Sequence, residues 1–195
     1  EPRHLPAEAS KLLNTHPPSG AATLHVHGVS GIFPAYAENE LIHVTFDEQT
    51  VPLQMVRSLE KSGDGHCVAD YVAPQEAKRN DWIGMQAVCA GNGLEGIHEA
   101  LRASHDDYHS LMADMLATRL AEAGAEWVHR KTVEDYWGGE GLGIRPAPGY
   151  PSCPDHALKR VIFRALDAER AIDAHLTESA MMVPEASTCA FIIRT

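Results

Sequence analysis

The sequence predicts an α+β fold in which a twisted, largely antiparallel sheet packs against long helices. Segments of alternating or continuous apolar character, which favour strands, cluster between residues 23 and 90. From Leu94 to about Tyr136, apolar residues instead recur at steps of three and four, as in a helix. Strands grouped in this way before long helices are typical of an α+β domain rather than of a parallel doubly wound sheet.

In the first half of the chain, residues 1–22 form a polar N-terminal extension in which residues 7–13 are predicted to be a short helix. The domain itself spans residues 23–195. Residues 23–34 predict a strand followed by a turn, and residues 40–46 predict a second strand paired with it. Residues 52–62 predict a short amphipathic helix, and residues 66–72 and 82–90 predict buried strands.

In the second half, the helical pattern from Leu94 contains Gly124, which indicates a kink or a close packing contact. Glycines at 138, 139 and 141 are predicted to end this helix. Residues 155–176 predict a further helix with Asp155 as its N-cap, and residues 188–194 predict a final strand.

Composition and charge exclude several classes of function. The chain has 16 basic and 27 acidic residues, a formal charge of −11, and no basic cluster, which argues against a nucleic-acid partner. No apolar run approaches the roughly 20 residues that cross a bilayer, so no membrane partner is expected. The four cysteines are widely spread without a C-x-x-C pair, which favours free thiols in a reducing cytoplasm.

The most informative segment is residues 145–155, with the sequence RPAPGYPSCPD, called the proline track below. Its four prolines impose a stiff, extended path, and Gly149 permits a backbone conformation or a close approach that a side chain would prevent. Arg145, Tyr150 and Cys153 stand along this path. The track is therefore suited to presenting backbone and side-chain groups to a ligand, although composition alone fits a proline-rich surface connection equally well.

The proline track also carries a family resemblance. Residues 143–156, GIRPAPGYPSCPDH, resemble the signature of the activation domain of cobalamin-dependent methionine synthase, the domain that binds S-adenosylmethionine. Further blocks are similar to that family and fall in its order: CVADYVAP at 67–74, DWIG at 81–84, HDDY at 105–108, RLAEA at 119–123, YWG at 136–138, and LTES at 176–179 with Pro184. The resemblance runs from about residue 28 to residue 188.

The resemblance implies a role in reductive reactivation. Occasional oxidation inactivates the cobalamin of such enzymes, and an electron from a flavodoxin-type reductase together with a methyl group from S-adenosylmethionine restores it. The domain would hold the methyl donor over a corrin that another domain binds, because the D-x-H-x-x-G pattern of a cobalamin-binding segment is not completed after Asp64 and His66. The expected partners are the cobalamin-binding domain and the reductase, and the isolated chain is expected to bind ligand without turnover.

Five positions are carried over to the ligand site by the resemblance. Arg145 can bind the carboxylate of the ligand in two-pronged fashion, and Glu122 can face its amine or sulfonium. Backbone groups around Ala147 and Gly149 would contact the adenine or ribose, and Tyr150 would pack against the ligand or the corrin. Without the resemblance, Glu122 is more simply interpreted as an exposed helix carboxylate.

Other positions depart from the family pattern. Glu140 lies five residues before Arg145, in a shortened connection, whereas the family usually has a glutamate six residues before the arginine. No counterpart of the family's helical Asp-Trp region precedes residue 23, and the chain stops at Thr195 before the family's Tyr-Tyr segment. The domain is therefore expected to lack N- and C-terminal parts of the site, which predicts a weakened or absent affinity.

Two alternatives from other functional classes remain open at this point. One is a non-catalytic docking module whose acidic surface contacts a cobalamin domain or a reductase. The other is a nicotinamide-dependent oxidoreductase, because residues 91–96 form a G-x-G-x-x-G match between strand-like and helix-like segments. A glycine-rich turn that opens a helix explains the same match. The histidine pairs, such as His105 and His109, have no third ligand at a metal-binding spacing, so no metal site is predicted.

Overall fold

The computed structural model describes residues 24–58, 65–77, 81–139, 141 and 143–195. Its strands are β1 (His27–Glu38), β2 (Leu41–Phe46), β3 (Gln49–Gln54), β4 (Asp81–Cys89), β5 (His175–Leu176), β6 (Met182–Val183) and β7 (Ser187–Ile192). Its helices are α1 (Leu94–Ala103), α2 (Asp107–Trp137), α3 (Leu158–Leu166) and α4 (Ala168–Ile172). No described helix is long and apolar enough to cross a bilayer.

The centre of the fold is a five-stranded sheet in the order β3-β2-β1-β4-β7, in which every neighbouring pair of strands is antiparallel. Strands β5 and β6 form a separate antiparallel pair. The predicted α+β class is therefore confirmed, as are the pairing of the first two strands and the final strand along the chain.

Strand β1 changes partners along its length. Residues 27–35 pair with β4, and residues 35–38 pair with β2. The prediction that this strand ends in a turn at Pro34 is wrong, because the strand continues to Glu38. Proline is tolerated at position 34 because the ladder to β2 begins at Ala35, so Pro34 has a paired strand on one side alone.

The two faces of the sheet are covered by different helices, because side chains alternate between faces along each strand. On one face, α3 and α4 pack onto the main core, in which Ile83, Met85, Phe191, Ile162 and Ile172 are fully buried. The other face carries α2 over β1, β4 and β7.

Helix α2 lies close to the sheet because its packing face is built from small residues. The alanines on this face recur every four residues and are buried: Ala113, Ala117, Ala121 and Ala125. A Cβ atom at Gly124 would lie 2.7 Å from Cγ1 of Val26 and 3.1 Å from Cγ1 of Val88, which confirms the predicted close contact. Two side-chain bonds fix the register: Gln86 Nε2 donates to the Ala125 carbonyl at 3.2 Å, and Thr132 Oγ1 donates to Ser30 Oγ at 2.8 Å.

The predicted helix boundaries in the second half need correction. The single pattern from residue 94 is divided into α1 and α2, because Asp106 caps α2 by accepting from the His109 N–H at 3.1 Å and His105 adopts a φ of 56°. The predicted helix over 155–176 is α3 followed by α4, with Asp167 at φ 47° between them. Asp155 accepts from the Ala157 N–H at 2.8 Å in the preceding turn rather than capping α3.

Two further predictions in the first half are wrong. Residues 52–54 belong to β3, where Leu53 is buried opposite Ile42, rather than to an amphipathic helix. The expected strand over 66–72 instead contains a 3-10 helix, Val68–Tyr71. The turn forms because the Asp70 carboxylate accepts from the Cys67 N–H at 2.9 Å. The same carboxylate also accepts two hydrogen bonds from the Arg57 guanidinium, at 2.7 and 2.8 Å. The predicted helix at residues 7–13 lies outside the described residues.

Candidate ligand site at the edge of the sheet

The proline track lies along the edge of the sheet beside β7. Ile144 and Ile193 exchange two backbone hydrogen bonds, at 2.8 and 2.9 Å, and the Phe191 N–H donates to the Pro146 carbonyl at 3.0 Å. The prolines cannot donate to a ladder, which limits this contact to a short bridge and leaves an irregular edge. The track is thus anchored to the core sheet and is more than a surface connection.

Two glycines allow the track to follow this path. Gly143 has a φ of +63°, and a Cβ atom there would lie 2.3 Å from the Ile193 carbonyl oxygen. Gly149 has a φ of +103°, and a Cβ atom there would lie 2.5 Å from Cε1 of His156. Neither position can accept a side chain without moving its neighbour, so glycine is required just before the track, at 143, and at its turn, at 149.

Arg145 projects from the track toward α2. Its neighbour Ile144 packs against the main core, so alternation places Arg145 on the opposite face of the sheet. Nη1 of Arg145 donates to Oε2 of Glu126 at 3.3 Å, and the Arg145 side chain is 29% exposed. Glu126 also accepts from Nε of Arg130 at 3.0 Å. This hydrogen bond from Arg130, with the charge of Arg145, holds the pKa of Glu126 below its usual range, so the carboxylate is ionised at neutral pH.

Glu122 lies one helical turn before Glu126 and therefore on the same side of α2. Its Oε2 accepts from Nη1 of Arg119 at 2.7 Å. It also lines a cleft of about 560 Å3, whose other walls come from the start of α1, the first half of α2 and the segment before β7, including Leu94 and Glu185. Arg145 does not line this cleft. The structure thus brings Arg145 and Glu122 to one side of the sheet without a hydrogen bond between them in the described part of the chain.

Three of the remaining predicted site residues, Ala147, Gly149 and Tyr150, form the turn of the proline track. The Ala147 carbonyl accepts from the Tyr150 N–H at 3.2 Å, and the Gly149 N–H donates to the Cys153 carbonyl at 2.7 Å, so these two backbone groups are already used by the turn. The Tyr150 ring is 67% exposed and open to a ligand or a second domain. Glu140 lies outside the described residues.

Sequence reasoning missed Glu126, the residue that contacts Arg145. Its position four residues after Glu122 was the available signal, because that spacing places both carboxylates on one helix face. The thiol of the track is excluded as a nucleophile. Burial raises the pKa of Cys153 to about 11, so the thiol is protonated at neutral pH.

The glycine-rich segment at 91–96 has a packing role. Gly93 adopts a φ of 94° as the N-cap of α1, and a Cβ atom at Gly91 would lie 2.4 Å from Cβ of Pro184. The preceding strand, β4, belongs to an antiparallel sheet, whereas a dinucleotide fingerprint requires a parallel βαβ unit. This contradicts the structural prediction of the oxidoreductase alternative. Within the described ranges, no three His, Cys, Asp or Glu side chains are grouped so as to hold a metal ion.

The fold and its polar edge define a class of protein, an α+β domain with a candidate ligand site at the edge of an antiparallel sheet. Comparison with known proteins gives the family. The family model described as "Vitamin B12 dependent methionine synthase, activation domain" matches residues 1–195, and the chain belongs to this family. A similar solved structure is that of the MetH reactivation domain bound to AdoHcy, with 34% sequence identity and a TM-score of 0.86. The match covers 98% of this chain and 64% of that one, so this chain spans just under two thirds of its solved relative.

Proposed function

We propose that this chain binds S-adenosylmethionine at the edge formed by the proline track and α2, and presents its methyl group to a cobalamin held by another domain. The observation that carries the proposal is the placement of Arg145, which is partly shielded and pairs with Glu126, a residue one helical turn after Glu122 on α2. Membership of the activation-domain family and the AdoHcy bound to the solved relative support it.

The charges of this edge complement those of the ligand. Glu126 occupies one N–H group of Arg145, which leaves the other guanidinium donors for the ligand carboxylate. The carboxylate of Glu122 can face the cationic amine and sulfonium. Tyr150 is exposed enough to stack on the ligand or to contact the domain that carries the corrin.

The contribution of this chain is orientation and electrostatics. Cobalamin, when it is bound by its own domain, supplies the nucleophile that accepts the methyl group. Holding the methyl donor in a fixed position converts an encounter between two mobile molecules into a directed transfer. The isolated chain therefore binds ligand without turnover, and a cobalamin domain and a flavodoxin-type reductase are its partners. The described cysteines, all four of them buried and free, fit a reducing cytoplasm.

The proposal is tested by calorimetric titration of the chain with S-adenosylmethionine, beside Arg145→Ala. Losing charge-assisted hydrogen bonds to the carboxylate should weaken binding by about 1–3 kcal/mol, or roughly 5- to 150-fold. Arg170→Ala is the matched control, because Arg170 lies on α4 on the opposite face, pairs with Asp167, and is 86% exposed. Its binding should equal that of the wild type.

Two results would contradict the proposal. If the folded wild-type chain binds no S-adenosylmethionine, the edge is not a ligand site in this chain, and retained binding to a cobalamin domain would then support the docking-module alternative. If Arg145→Ala binds as tightly as Arg170→Ala, the ligand occupies another surface.

A further inference from the structure

We infer that Glu126 is a positioning residue that orients Arg145 toward the carboxylate of the ligand, through a row of three charges formed by Arg130, Glu126 and Arg145. The inference rests on the proposed function and adds a residue to it. Glu126 is not expected to touch the ligand carboxylate, because like charges repel. Its effect on that end of the ligand is exerted through the arginine that it holds.

The geometry of the row supports this role. Glu126 uses separate oxygens for its two partners, Oε1 for Arg130 at 3.0 Å and Oε2 for Arg145 at 3.3 Å. Among the described residues, Glu126 supplies the carboxylate that pairs with Arg145. Arg145 reaches it across 19 positions of sequence, from the track to α2. The contact therefore fixes the direction of a long side chain that leaves an irregular edge.

The net charge of the row explains why Glu126 does not cancel the arginine that it orients. Glu126 carries one negative charge between two guanidinium groups, so the three side chains together keep one positive charge for an anion. Removing Glu126 raises that positive charge but frees the Arg145 side chain, which then has to lose rotamer freedom when the ligand binds. If orientation dominates, removing Glu126 weakens carboxylate binding; if net charge dominates, removing it strengthens carboxylate binding. An affinity measurement therefore separates the two.

A plain surface ion pair is the competing explanation. Pairs with side chains as exposed as these contribute little to stability, and Glu126 is 46% exposed. In that case, removing Glu126 would leave ligand binding unchanged. A structural role, in contrast, would weaken every ligand to the same degree, whether or not the ligand has a carboxylate.

The experiment compares two ligands on the intact chain: S-adenosylmethionine and decarboxylated S-adenosylmethionine, which keeps the sulfonium and the amine. The variants are Glu126→Ala, which removes the acceptor, and Glu126→Gln, which keeps an acceptor oxygen of equal reach without the charge. Glu134→Ala is the matched control, since Glu134 is a glutamate on the same helix, pairs with Lys131 and is 63% exposed. Dissociation constants come from calorimetry, and circular dichroism melting checks folding.

The expected result is a selective loss. Glu126→Ala should weaken the binding of S-adenosylmethionine about five- to tenfold, the equivalent of one lost hydrogen bond of ordinary strength, and should leave the binding of the decarboxylated ligand within about twofold of wild type. Glu126→Gln should regain most of the lost affinity, and Glu134→Ala should match the wild type with both ligands.

Several outcomes would overturn the inference. Equal loss with both ligands assigns Glu126 a structural role or a direct contact with the cationic groups. Unchanged or tighter binding of S-adenosylmethionine to Glu126→Ala means that Arg145 needs no orientation. A loss in Glu126→Gln as large as in Glu126→Ala would contradict orientation of Arg145 through an acceptor oxygen, because Glu126→Gln keeps that oxygen. If the wild type binds neither ligand, the proposed function itself is contradicted. This outcome differs from the others because they all require measurable binding by the wild type.

Discussion

Gly143→Ala tests whether the backbone hydrogen bonds between Ile144 and Ile193 hold the proline track to the edge of the sheet. A methyl group at this position would lie 2.3 Å from the Ile193 carbonyl oxygen and 3.1 Å from its carbonyl carbon. The obstacle is backbone, which cannot turn away as a side-chain tip can. The substitution also forces alanine into a φ of +63°, which costs about 1 kcal/mol.

The magnitude follows from the bonds that the methyl group displaces. Relief of the contact requires the track to move away from β7, which breaks the two bonds between Ile144 and Ile193, each contributing about 0.5–1.5 kcal/mol. Together with the backbone cost, Gly143→Ala should lower the free energy of unfolding by about 2–4 kcal/mol. For a chain of this length, that change corresponds to a fall in Tm of roughly 5–15 °C.

Gly139→Ala is the matched control for this prediction. Gly139 has a similar φ of +75°, but a Cβ atom there would meet nothing within 4 Å. It should therefore lose about 1 kcal/mol from the backbone cost alone. Urea unfolding followed by circular dichroism measures both variants. Equal destabilisation of the two would refute the reasoning, since it would mean that the contact with Ile193 adds nothing.

The remaining predictions concern packing and pH. Ala121→Leu should overpack the face between α2 and the sheet and lower the free energy of unfolding, measured in urea, by about 1–3 kcal/mol. Trp127→Ala changes a side chain that is 66% exposed and should alter that free energy by less than about 0.5 kcal/mol. Similar losses in the two variants would contradict the conclusion that the alanine face of α2 packs on the sheet. Because burial raises the pKa of Cys153 to about 11, its thiol should stay unmodified by a disulfide reagent at about pH 9 until urea is added, and fast modification of the folded chain would show that it is accessible. Hydrogen bonding to Arg57 lowers the pKa of Asp70, so this carboxylate contributes stability that is present above its ordinary pKa, near pH 4, and is lost as pH falls through the lowered value. Asp70→Asn should reduce the acid-dependent loss of stability, measured as urea midpoints between about pH 2 and pH 7, and an unchanged pH profile would contradict this coupling.

The strands could be predicted from the sequence where the spacing of apolar residues fits a strand and does not fit a helix. Strands β2 and β4 are apolar on the faces that they bury, and their predicted positions are confirmed within a residue or two. Residues 52–62 were mispredicted because apolar residues such as Leu53 and Met55 fit a helical step as well as a strand step. Their pairing with β2 depends on a partner strand, which local pattern does not contain.

The packing of α2 could be predicted in part. Apolar periodicity identified a helix, but its large apolar side chains Leu111, Met115 and Trp127 are exposed, while alanines contact the sheet. Small residues carry little hydrophobic signal, and their value lies in the close approach that they allow. That approach is a property of the partner surface, where Val26 and Val88 fill the space above Gly124.

The sequence predicted which residues could belong to the candidate site, but it did not predict which of them contact one another. The proline track singled out Arg145 as the cation, and the family resemblance added Glu122. The link between Arg145 and Glu126 crosses from the edge of the sheet to α2, and no local rule connects residues so far apart in sequence. Gly149 was predicted from the sequence to allow a close approach, and a Cβ atom there would lie 2.5 Å from Cε1 of His156. The close contact of Gly143 with Ile193 was not predicted, because it depends on where the end of β7 lies.

The most direct test of the central claim is a crystal structure of this chain in complex with S-adenosylmethionine. We expect the ligand carboxylate to lie within hydrogen-bond distance of the Arg145 guanidinium, with the sulfonium toward Glu122 on α2 and the methyl group open to solvent. Ligand bound away from the proline track, or a carboxylate that does not contact Arg145, would contradict the account.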